Sequence, residues 1–112
     1  MSKRIEDYIP KALAAIKTLD IEKDGEVPRQ FNGYIASFGA SIRQAGLLAT
    51  LLFYANEQSQ AEEARPKVVK AIELIIGESI VNGQKGVNRD LRNKVEDAAV
   101  ALKLSVRTFK LV

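Results

Sequence analysis

An all-α fold, a compact bundle of five or six helices in one domain over residues 1–112, is what this sequence predicts. Three observations predict it. Apolar residues recur at three- and four-residue spacings along most of the chain, and no segment sustains a period of two. Proline and glycine fall mainly between the periodic segments. The composition, 46% apolar and 28% charged, belongs to a folded chain rather than a disordered one.

The first helix is expected over about 6–19, with Ile9, Leu13 and Ile16 on one face and Ile5 leading in. Pro10 then falls in its first turn, where the missing N–H costs least. A polar loop with Gly25 and Pro28 follows, and a second helix is expected over 29–45. Phe31, Ile35, Phe38 and Ile42 form its apolar stripe, with Tyr34 at the edge. Its other side is small: Gly33, Ala36, Ser37 and Ala40. Glycine inside a helix costs about 1 kcal/mol against alanine. Gly33 and Gly39 therefore predict close approach of another backbone, most simply a neighbouring helix of the same domain.

Gly46 separates this helix from a third, where Leu47, Leu48, Leu51, Leu52, Phe53 and Tyr54 cover most of the circumference. A helix apolar nearly all round belongs in the middle of a bundle. Pro66 suits the first turn of a fourth helix, with Val68, Val69, Ile72, Ile75 and Ile76 facing inward and Gly77 ending it. Leu74 falls on the opposite side, among Lys67, Lys70 and Glu73; a lone exposed leucine needs no explanation, though it would also serve as an interface anchor. After a glycine-containing connector, Asn88 can cap a last helix. Leu91, Val95, Ala98, Leu102, Val106 and Phe109 keep one apolar face nearly to the C-terminus.

The side-chain inventory argues against catalysis. With no cysteine and no histidine, the chain lacks the commonest zinc ligands and the commonest general base. The adjacent acids Glu62–Glu63 and Glu96–Asp97 point about 100° apart on a helix and do not converge as dyads. No phosphate-binding loop follows a strand. Ser41 and Ser79 have no histidine to activate them. No catalytic, cofactor-binding or metal-binding residue is therefore assigned. No signal peptide or membrane-length apolar run is present, and a cytoplasmic location without membrane contact is expected.

The remaining signal is basic. Net charge is +3, but residues 1–27 carry −1 and residues 85–112 carry +4. Lys85, Arg89 and Arg92 share one helical sector, and Lys103, Arg107 and Lys110 return to it after roughly 27 Å of helix axis. Such a stripe can follow a nucleic-acid backbone by neutralising phosphates without reading sequence. A solvated helix face is the commoner origin of the same pattern. The aromatics sit at core spacings, which does not support a base-stacking platform.

Residues 31–55, FNGYIASFGASIRQAGLLATLLFYA, resemble the small α-helical subunit of type III-B CRISPR effector complexes. Ile42, Arg43, Gly46, Leu47 and Phe53 carry the likeness: an aromatic-containing helix, an Ile-Arg-x-x-Gly-Leu segment, then an apolar run ending near phenylalanine. Relatives often have a lysine soon after that run, where this chain has Asn56, Glu57 and Gln58, so an RNA contact there is not carried over. The resemblance implies a non-catalytic structural subunit in antiviral defence. It would stack with copies of itself along a guide-RNA filament, beside other subunits of the complex, and help hold the guide–target RNA duplex. No small-molecule substrate is implied. The basic residues then become candidates for RNA or subunit contact, with Arg43 added because it projects away from the apolar stripe of its helix. The competing expectation is a helical protein–protein adaptor without nucleic acid. A DNA-binding regulator is disfavoured, because the almost wholly apolar helix after Gly46 could not enter a groove.

Overall fold

Helix α5 (Arg89–Val106) holds the bundle together, packing against α1 (Lys3–Thr18), α2 (Arg29–Ala45) and α4 (Ala64–Ile76). Helix α3 (Leu47–Tyr54) packs on α2 and α4. The computed structural model describes residues 3–54, 64–78, 80 and 89–112. Lys85, Asn88 and the acids Glu62 and Glu63 lie outside the described residues, as do the side chain of Phe53 and most of the glycine-containing connector. The all-α expectation holds, and the predicted stripes form the core. Phe31, Ile35, Phe38 and Ile42 of α2 are buried against Leu91, Val95, Ala98, Leu102 and Val106 of α5 and Val68, Val69, Ile72 and Ile75 of α4. Helix α2 has the bounds its pattern predicts, and Gly77 ends α4 by donating its N–H to the Glu73 carbonyl at 2.9 Å.

Four local expectations need correction. Helix α1 starts at Lys3, so Pro10 is interior rather than in the first turn. It cannot donate to the Glu6 carbonyl, but both residues are exposed on the solvent side, where water can serve that acceptor. Helix α3 is not buried all round: Leu47, Thr50 and Leu51 face inward while Leu52 is 59% exposed. Gly33 and Gly39 meet no other backbone; a Cβ at Gly33 would find nothing within 4 Å. The small side of α2 is therefore open, with Gly33, Ala36 and Ser37 all exposed.

The fourth correction concerns the C-terminus. Helix α5 stops at Val106, because Thr108 turns the chain: its N–H and its hydroxyl both donate to the Ser105 carbonyl, at 3.1 and 2.7 Å. The tail then forms strand β2 (Lys110–Leu111), parallel to β1 (Glu26–Val27). Val112 N–H donates to the Val27 carbonyl at 3.0 Å, and the Val112 carbonyl accepts from Arg29 N–H at 2.9 Å. That second bond satisfies one of the orphan donors at the start of α2, where Pro28 provides no side-chain cap. Phe109 is thus half-buried beside the sheet, off the helix face on which it was expected.

Candidate interface on helices α2 and α5

The predicted cationic stripe resolves into parts with different environments. Arg89 is exposed in the first turn of α5. Arg92, one turn on, is engaged by the fold. Its Nε lies 3.3 Å from Glu96 Oε1, and a terminal guanidinium nitrogen donates to the Ile42 carbonyl at 3.3 Å. The Ile42 carbonyl, in the last turn of α2, also accepts from the Gly46 N–H at 3.0 Å, and a cation at this end complements the helix dipole. Arg92 therefore caps α2 from across the bundle. Lys103 is half-buried in the last turn of α5, and Arg107 is exposed in the turn beyond it. Lys110 leaves the stripe, because it stands on β2, with its Nζ 4.0 Å from a Glu26 carboxylate oxygen.

Arg43 and Lys103, distant in sequence, come together. Both line a groove of about 180 Å³ between α2 and α5, with Ala36, Gly39 and Val100 on its apolar walls. Arg43 folds back over the preceding turn: a Cβ at Gly39 would meet its terminal guanidinium nitrogen at 4.0 Å. What lies over Gly39 is therefore that guanidinium, at ordinary contact distance, and not another backbone. Glu96 and Asp97 also line the groove, and each carboxylate is already paired. Glu96 binds Arg92, and Asp97 lies 3.4 Å from an Arg4 guanidinium nitrogen. Among the described residues, neither Arg43 nor Lys103 has an ion-pair partner.

Leu74 is 50% exposed, as its position on α4 predicts, and borders a shallow depression with Leu19, Lys70 and Glu78. Ser41 is structural. Thr50, 1% exposed, donates its hydroxyl to the Gly46 carbonyl at 2.9 Å, and Ser41 Oγ lies 2.6 Å from the same Thr50 oxygen. With the Thr50 proton engaged there, Ser41 is the donor of the shorter bond. This polar joint ties α2 to α3 across Gly46, whose φ of 91° and ψ of 166° are open essentially to glycine alone. In the sequence Thr50 is visible only as an interruption of an apolar run. Among the described residues no cluster of three or more acids forms a metal site, and no helix is long and apolar enough to cross a membrane.

The described part of the segment 31–55, residues 31–54, is thus a joint: a helix with one buried stripe, an outward arginine, a glycine only backbone strain can explain, then Leu47 turned back into the core. Residues 5–107 match the family model described as CRISPR-associated protein (Cas_Cmr5). The chain belongs to the Cmr5 family. That family is the small subunit of type III-B CRISPR effector complexes. Neither a curated protein nor a solved structure matches the chain. For a Cmr5-family chain, the residues that carry the likeness divide by role in the structure. Ile42 and Leu47 fill the core, Gly46 sets the angle between α2 and α3, and Arg43 alone of the described four is turned outward.

Proposed function

We propose that this chain is a non-catalytic structural subunit that stacks along the guide-RNA filament of a type III-B complex and helps hold the guide–target RNA duplex. The observation that carries this reading is the Cmr5 family match over 5–107, nearly the whole chain. The charge distribution supports it: Arg89 and Arg107 stand exposed at the two ends of α5, and the C-terminal quarter carries most of the excess positive charge. Exposed cations spaced along one element suit a phosphate backbone, which is bound through charge and not through sequence. Arg92 is excluded from this set, since its guanidinium is already used within the fold. Leu74 suits contact with a neighbouring subunit, because a large aliphatic side chain half in water gains by being covered.

The test is affinity purification of the tagged chain from its host, with mass spectrometry and small-RNA sequencing of what accompanies it. Short guide RNAs, together with the large and backbone subunits, are expected. Reversing charge at Arg89 and Arg107 should weaken RNA retention and flatten its salt dependence, by about 0.7 in log–log slope for each phosphate no longer neutralised. Leu74→Asp should reduce recovery of protein subunits while the isolated chain keeps its melting temperature. Unrelated proteins and no RNA in the wild-type preparation would instead point to an adaptor outside any ribonucleoprotein.

A further inference from the structure

The geometry points to the α2–α5 groove as the socket for one acidic side chain of a neighbouring protein subunit, an aspartate or glutamate held by Arg43 and Lys103. This rests on the chain being a subunit of the effector complex, and it assigns these two cations to protein rather than to RNA.

Size, wall chemistry and charge agree. A groove of about 180 Å³ has room for one inserted group; a cavity of about 150 Å³ accepts a benzene-sized one. Val100, 41% exposed, and Ala36 offer apolar walls for the alkyl stem of such a side chain. The free charge in the groove is positive. Glu96 and Asp97 are compensated by Arg92 and Arg4, which leaves Arg43 and Lys103 as the two cations without ion-pair partners among the described residues. An incoming carboxylate would complete the set, with the arginine fork able to bind both of its oxygens.

An RNA strand fits the same place less well. Its phosphates repeat along the chain, so binding at Arg43 and Lys103 would carry neighbouring phosphates past Glu96 and Asp97. A single carboxylate brings one charge and an apolar stem, and no further charges follow. Gly39 fits this assignment too. A side chain there would stand in contact with the Arg43 guanidinium and take up space an incoming carboxylate would use.

The test is site-specific photo-cross-linking within the assembled complex, using p-benzoylphenylalanine in place of Val100. Expected is a cross-link to a protein subunit, at a peptide with an aspartate or glutamate next to the linked residue. In the R43E/K103E background the yield should fall by about tenfold or more, with the circular dichroism melt of the isolated chain unchanged. The R43K/K103R pair, which keeps both charges, should retain the cross-link. A cross-link to RNA, a linked peptide without an acid, no cross-link, or an unchanged yield after charge reversal would each overturn the assignment. Absence of every effector subunit from the preparation would overturn the functional reading itself. An assembled complex with Val100 linked to RNA would overturn the socket alone.

Discussion

Arg92 and Lys103 stand on the same side of α5, about three turns apart, and the fold uses only one of them. Arg92 pairs with Glu96 one turn along its own helix and reaches across to a carbonyl at the end of α2. Lys103 has no ion-pair partner among the described residues and borders a groove whose other cation, Arg43, is equally uncommitted. Two basic residues of one helical sector therefore differ in kind. The first holds the bundle in shape, and the second is left for something outside it.

The largest effect that tests this division lies at the joint Arg92 serves. Gly46 holds a backbone conformation that costs other residues about 1–3 kcal/mol. Space is not the obstacle, because an added Cβ would meet nothing within 4 Å. Gly46→Ala should therefore lower stability in that range purely through strain, measured as a drop in the denaturant midpoint at unchanged slope. A neutral substitution would mean that the α2–α3 angle is not held by this residue.

Next in size is the contrast between the two cations themselves. Arg92→Ala should cost about 1 kcal/mol, because it removes a charge-assisted bond to Ile42 whose donor is 43% exposed. Lys103→Ala should stay within about 0.5 kcal/mol of the parent, as surface substitutions away from such features do. Paired urea melts of the two variants would decide it. Equal losses would erase the distinction between a committed and an uncommitted cation.

That distinction was not legible in the sequence, and the reason is distance along the chain. Periodicity reports which face of a helix is apolar, and on that basis the bounds of α2 and the core residues of α4 and α5 could be read directly. It also placed Arg92 and Lys103 in one sector, correctly. What a wheel lacks is the identity of the neighbour: Ile42 lies 50 positions from Arg92, and the pairing exists only once α2 and α5 pack. The same limit explains the C-terminus. The apolar spacing runs on to Phe109, yet Thr108 turns the chain and β1 draws it into a two-residue strand, too short to show any period of its own. Gly39 was visible as an anomaly, but its surroundings were not, because its near neighbour across the open side is a side chain of its own helix, Arg43, rather than another backbone.

The smallest effects separate the two helical glycines of α2, and here stability and docking should move in opposite directions. Neither has a positive φ, and neither is crowded, so alanine at either position should stabilise the isolated chain by about 0.5 kcal/mol through helix propensity. For Gly33 that is all that follows, since it lines no part of the groove. For Gly39 the added methyl stands 4.0 Å from the Arg43 guanidinium, inside the space proposed for an incoming carboxylate. Gly39→Ala should thus raise the melting temperature as Gly33→Ala does, yet lower the Val100 cross-link yield while Gly33→Ala leaves it unchanged. A fold that keeps a glycine at a cost to its own helix only where a partner's side chain must enter would show that divergence. Parallel behaviour of the two variants in both assays would mean that the glycine at 39, like the one at 33, serves nothing in the groove.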